Sequence, residues 1–150
     1  MRFLIQRVSS AGVSIDNHTV GEIKQGFCVF VGISDSDTEE IADKMVQKLV
    51  NLRIFSDENG KTNLSLSSVN GELLIISQFT LYADCKHGNR PSFLKAGKPE
   101  SSEQLYQYII KKCREYIPKV EHGEFGADMQ VSIVNDGPFT VWLDSEELYT

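Results

Sequence analysis

The sequence predicts an α+β fold: a mostly antiparallel, two-layer, barrel-like β core with two amphipathic helices on one side. Three observations predict it. Short apolar runs separated by Gly, Asn and Asp turn signals fill most of the chain, and only two stretches repeat their apolar residues at helical spacing. Phe27 to Ile33 is apolar almost without a break, as a central strand buried on both faces would be. A chain of 150 residues has room for one domain with a real core, so residues 1–150 are read as a single unit.

The elements follow in order. Residues 2–9 alternate, with Phe3, Ile5 and Arg7 on one face and Leu4, Gln6 and Val8 on the other, which is strand spacing. Gly12 then introduces a second short strand, Val13 to Ile15, and Asp16-Asn17 turns the chain into Val20 to Ile23. Ser36-x-x-Glu39 reads as a capping box, followed at helical spacing by Ile41, Met45, Leu49 and Leu52. Arg53 to Phe55 and Leu64 to Leu66, joined through Asp57-Glu58-Asn59-Gly60, suggest a hairpin, and Glu72 to Phe79 is the next strand. Residues 82–100 form a long irregular loop, and loops of that length are usually functional or disordered. Ser101-x-x-Gln104 caps a second helix carrying Leu105, Tyr108, Ile109, Cys113 and Tyr116, ended by Pro118. His122 to Gly126 reads as a glycine-rich bend. Residues 129–134 form a strand, Asn135-Asp136-Gly137-Pro138 a turn, and Phe139 to Leu143 the closing strand.

Composition narrows the function classes. No run approaches the eighteen or so apolar residues that span a membrane, and the N-terminus lacks a signal-peptide pattern, so a cytoplasmic protein is expected. Cys28, Cys85 and Cys113 are odd in number and far apart, which fits reduced thiols rather than a disulfide frame or a metal site. A net charge of -6 counts against binding along duplex DNA. Positive charge is nevertheless local, with Lys86, His87, Arg90, Lys95 and Lys98 crowded into the long loop.

Two stretches carry the chemistry. Ser77-Gln78-Phe79-Thr80 stands at a strand end, where hydroxyls and unpaired backbone N–H groups can meet a ligand; β-propensity and turn chemistry explain the same residues blandly. A nucleophilic Thr80 would need a base within reach, and its neighbours in sequence offer none. Gly137-Pro138 removes one N–H and leaves carbonyls exposed, giving a stiff, acceptor-rich tip. The three histidines are scattered over turns and loops, and no metal or cofactor motif is present.

With these residues in view the chain resembles the D-aminoacyl-tRNA deacylases, over essentially its whole length. The resemblance rests on Ile5-Gln6-Arg7-Val8, Leu52-Arg53-Ile54-Phe55, Ser77-Gln78-Phe79-Thr80-Leu81, Phe125-Gly126-Ala127-x-Met129 and Asn135-x-Gly137-Pro138-x-Thr140. It departs at Phe139, where such proteins often carry a smaller aliphatic residue. The resemblance implies a cofactor-free, metal-independent homodimer that hydrolyses the ester joining a D-amino acid, or glycine, to the 3' end of tRNA. It implies that Ser77, Gln78, Phe79 and Thr80 line the site and that the terminal adenosine packs near Met129. A cis Gly137-Pro138 tip, with Asn135 beside it and Arg7 holding it, would reach into the other subunit and reject L-amino acids. Two alternatives stand beside this reading: a nucleic-acid-binding module without catalysis, and a small-molecule esterase using Ser77 or Thr80.

Overall fold

The computed structural model describes residues 1–150 and is organised on one long strand, β1 (Arg2–Ile15). The first half of β1, Arg2 to Val8, pairs antiparallel with β3 (Gly26–Gly32); the second half, Ala11 to Ile15, pairs antiparallel with β2 (His18–Ile23). Along its opposite edge runs β8 (Gln130–Asp144), antiparallel from Arg2↔Asp144 to Ser14↔Gln130. Outside β3 lie β6 (Glu72–Ser77) and then β7 (Val120–His122), both parallel to their neighbours. Parallel neighbours need crossovers. These carry α1 (Glu39–Asn51) and α2 (Pro99–Arg114), which pack against each other on one side of the sheet. A short hairpin, β4 (Phe55–Ser56) and β5 (Thr62–Leu64), precedes β6, and α3 (Ser145–Tyr149) ends the chain.

The alternation of β3 and β6 builds two cores. Phe27, Val29, Leu73 and Ile75 face the helices and join Phe3, Ile5, Met45, Leu49, Tyr106 and Ile109. Cys28, Leu74 and Ile76 face the other way and join Val8, Ala11, Val13 and Ile23 under the second layer. β2 folds back against β6 and β7, where the Lys24 amide donates to Glu72 Oε1 at 2.7 Å, so the sheet nearly closes. Each fully buried aliphatic side chain contributes ~1.5–3 kcal/mol before its ordering cost, which is why both faces of β3 must stay apolar.

Several local expectations change. Residues 2–15 are one strand rather than two, and residues 130–144 are one strand rather than two with a hairpin turn between them. In both cases irregular register interrupts the side-chain alternation while the ladder goes on. The register slips between Gln6 and Val8 and between Val8 and Ser10, and residues 136–139 bulge out of β8 opposite Arg7. The cap of α1 is Thr38, whose hydroxyl accepts from the Ile41 amide, not Ser36. α2 begins without a side-chain cap, at Pro99, two residues before the expected Ser101, because proline at the first helical position needs no N–H partner. β6 ends at Ser77 rather than Phe79, and Val120–His122, read as lying partly within a bend, is the edge strand β7.

Candidate active site

The parallel strands β3 and β6 end side by side, and the chain leaves β6 through a single 3-10 turn, Phe79–Tyr82. The turn is seated from three directions. The Gln78 amide donates to the Val31 carbonyl at 2.8 Å. Gly32 lies flush beneath it; a Cβ there would sit 2.9 Å from Leu81 Cβ and 3.3 Å from the Gln78 carbonyl. Arg2 donates to the Leu81 carbonyl and to Asp144 Oδ2, both at 2.9 Å, and its guanidinium lies 4.4 Å from the centre of the Tyr82 ring.

A cavity of about 480 Å³ opens at this end of the sheet, within the usual size of small-ligand sites. Its floor is Val31, Ile33 and Ile76, its rim Ser77, Gln78 and Phe79, and its far wall Phe125 to Ala127 with Met129 and Val131. Gly97, Pro99 and Ser102, from the loop and the start of α2, close the remaining side. None of these lining residues is titratable. The N–H groups of Phe79 and Thr80 open the 3-10 turn at the strand end without a hydrogen-bond partner in the chain, as the first donors of a helical turn do. The Thr80 hydroxyl accepts from the Gln78 side-chain amide, and the buried Ser102 hydroxyl has no partner in the chain.

Of the sequence-predicted residues, Ser77, Gln78, Phe79 and Met129 line the cavity together, and Thr80 stands next to it in the turn. Arg7, Asn135, Gly137 and Pro138 do not line it; the last three belong to the irregular middle of β8, and Arg7 stands opposite them on β1. The Gly137-Pro138 peptide bond is cis, and Gly137 has φ +123, a left-handed value that a side chain would strain. Arg7 braces this tip from beneath, donating to the Asp136 carbonyl at 3.1 Å and to the Ile54 carbonyl at 2.6 Å. Its guanidinium lies 4.7 Å from the centre of the Phe139 ring, so the larger residue at this position adds a cation–π contact. Asn135, Gly137 and Pro138 are exposed and face outward.

The sequence reading missed Gly97, Pro99 and Ser102 as cavity residues. They reach it only because the loop doubles back, through the Gly97 amide donating to the Ile33 carbonyl at 2.8 Å, and no local pattern signals that. Elsewhere, burial pushes the thiols of Cys28 and Cys113 up to about 12, leaving Cys85 as the exposed cysteine.

An apolar recess of this size, edged by a few amide and hydroxyl groups, defines a protein with a small-ligand site at the end of its sheet. The sequence matches the D-Tyr-tRNA(Tyr) deacylase family over residues 4–144, and the chain belongs to that family. A D-aminoacyl-tRNA deacylase of Clostridium novyi (strain NT) is 57% identical over 147 residues, covering 98% of this chain and 99% of that one. The solved structure of a c-Myc DNA unwinding element binding protein is similar with TM-score 0.89 and 39% identity, covering 96% of this chain and 98% of the other. That of a probable eukaryotic D-amino acid tRNA deacylase is similar in fold with TM-score 0.83 at 20% identity, covering 95% and 97%.

Proposed function

We propose that residues 1–150 act as one deacylase domain that hydrolyses the ester joining a D-amino acid, or glycine, to the 3'-terminal adenosine of tRNA. It does so as a cytoplasmic homodimer in which the Asn135–Phe139 tip of one subunit enters the cavity of the other. Family membership and the 57% identical deacylase support the reaction class. The observation that carries the arrangement is the tip itself, braced at its base by Arg7 yet with Asn135, Gly137 and Pro138 exposed.

The reaction needs an attacking water and a place for the charge that develops. Water oxygen bonds to the ester carbonyl carbon, and the resulting oxyanion takes hydrogen bonds from the Phe79 and Thr80 amides. The bond to the ribose oxygen then breaks, that oxygen takes a proton, and a free amino acid and tRNA leave. Preorganised amides of this kind stabilise a tetrahedral intermediate by ~3–4 kcal/mol. With no base in the cavity wall, the neighbouring ribose hydroxyl positions the water, so catalysis is assisted by the substrate.

Selection follows from shape. A site that serves many side chains must grip the shared ammonium, ester and ribose. The carbonyls of Gly137 and Pro138 accept from the ammonium and fill the space that an L side chain would need, while a D side chain points outward. Exclusion of this kind discriminates more sharply than a loose preference in a pocket. Glycine, with nothing to exclude, is hydrolysed too.

The test is deacylation of paired D- and L-tyrosyl-tRNA by the wild type and by Pro138→Ala. The proposal expects strong preference for the D form in the wild type and a preference at least tenfold weaker in the variant. A D-to-L ratio that does not move rejects the tip as the selector. The name of the 39% identical structure favours a second reading, a nucleic-acid-binding module. Tight binding to duplex DNA with a steep salt dependence, without deacylation, would support that reading; the net charge of -6 counts against it.

A further inference from the structure

The strongest feature outside the cavity is the loop from Ala83 to Lys98, which is ordered rather than trailing. Asp84 and Ser92 exchange two backbone hydrogen bonds, 2.7 and 2.9 Å, so residues 85–91 stand out as a tied tip. Everything on that tip is exposed, including Lys86 and Arg90. Behind it, Phe93 meets Phe79 edge to face with ring centres 5.2 Å apart, and Phe79, at the cavity rim, is 56% exposed. Leu94 beside them is 94% exposed. Burying none of these groups in its own core, the loop holds aromatic and apolar surface in water against the hydrophobic cost.

Its charge is as unusual as its exposure. The chain carries -6 overall, yet Lys86, Arg90, Lys95 and Lys98 gather here, and only Lys95 has a carboxylate partner, Asp84 at 3.5 Å. Asp84 is itself occupied by the Lys86 amide at 3.0 Å, and Asp35 by the Lys98 amide at 2.9 Å. The side chains of Lys86, Arg90 and Lys98 therefore present unpaired positive charge on the loop that carries the exposed Phe93. That pairing of rings with cations suits unpaired nucleotides, whose bases stack on aromatics and whose phosphates need neutralising; a protein partner or a duplex does not require both together.

We propose that this loop is the track for the single-stranded nucleotides that precede the terminal adenosine of tRNA. It abuts the cavity because its Gly97 belongs to the cavity wall and its Phe93 packs on Phe79 at the rim. The inference rests on the reading of the cavity as the site for the terminal aminoacyl-adenosine. The track accounts for how a short, acidic protein engages a large polyanion: it grips only the free end, with two or three phosphates and one or two stacked bases.

The test compares two esters, D-tyrosyl-tRNA and D-tyrosyl-adenosine, the second lacking every nucleotide the track would hold. Two variants are used, Phe93→Ala and the double variant Lys86→Gln with Arg90→Gln, the latter leaving the Phe79–Phe93 pair untouched. In each, the ratio of kcat/KM on the tRNA ester to that on the nucleoside ester falls about tenfold, as the loss of one stacked base or two phosphate contacts predicts. For the double variant the slope of log KM against log salt becomes shallower by about 1.4, about 0.7 for each phosphate contact on a single strand. An unchanged ratio in both variants overturns the track, and so does a change in oligomeric state with the ratio unchanged, which would assign the face to a second copy of the chain. If the wild type hydrolyses neither ester, the cavity reading fails and the track with it; hydrolysis of both esters with unaltered ratios sinks the track alone.

Discussion

The Phe79–Tyr82 turn and the Asn135–Phe139 tip are held by the same device and put to different use. Each is gripped by an arginine of β1 that donates to a backbone carbonyl of the segment and stacks on one of its rings: Arg2 on Leu81 and Tyr82, Arg7 on Asp136 and Phe139. The turn then faces a cavity of its own chain, while the tip faces outward. The contacts of the tip lie at its base, Asp136 and Phe139 on Arg7 and Phe139 on the core, while Asn135, Gly137 and Pro138 stay exposed. The difference teaches that the chain braces two segments alike and joins only one of them to its own cavity.

That contrast can be broken at either half. The largest effect belongs to the cavity: replacing the terminal adenosine of the substrate by its 2'-deoxy form should lower turnover by about a thousandfold or more while leaving binding within a few-fold, as loss of a transition-state interaction does. Full activity on that substrate, or a trappable acyl-enzyme on Thr80, would move the chemistry to the protein. Next comes the seat of the turn. Gly32→Ala forces Leu81 and the Gln78 carbonyl aside, and a displacement of about 1 Å costs roughly a hundredfold in kcat; circular dichroism should show the fold intact.

The tip responds less steeply. Arg7→Ala removes two hydrogen bonds to carbonyls and a cation–π contact, so the D-to-L ratio should fall about tenfold and unfolding free energy by ~1–3 kcal/mol in denaturant titration. Arg7→Lys should not restore the ratio, because a point charge cannot serve two carbonyls and a ring at once. The smallest effect concerns neither half: with Cys28 and Cys113 buried and their thiols raised to about 12, a thiol reagent should label one site per native chain, Cys85. More than one label would mean that the two cores open readily.

Much of this was legible in the sequence, and the misses have physical causes. The burial of β3 on both faces and the apolar stripe of α1 follow from periodicity, because packing enforces it there. The hairpin around Asp57 to Gly60 follows from its turn residues, but it pairs Phe55–Ser56 with Thr62–Leu64 rather than Arg53–Phe55 with Leu64–Leu66. β1 and β8 looked broken because a bulge alters the alternation without ending the pairing, and Gly137-Pro138 looked like a turn for the same reason. The parallel pairing of β3 with β6 is set by the crossover through α1, which no local pattern reports. For the site, Ser77, Gln78, Phe79 and Met129 meet in the cavity, whereas Ser102 enters it only through the returning loop.

The account stands or falls on whether the tip of one chain completes the cavity of another. The direct measurement co-expresses two defective chains in equal amounts, one with Gly32→Ala beneath the turn and one with Gly137→Val in the tip, and assays D-tyrosyl-tRNA deacylation by the purified mixed dimers. The account predicts recovery to about half of the wild-type rate, because each mixed dimer holds one intact composite site out of two. Mixed dimers that form and stay as inactive as either parent would contradict it.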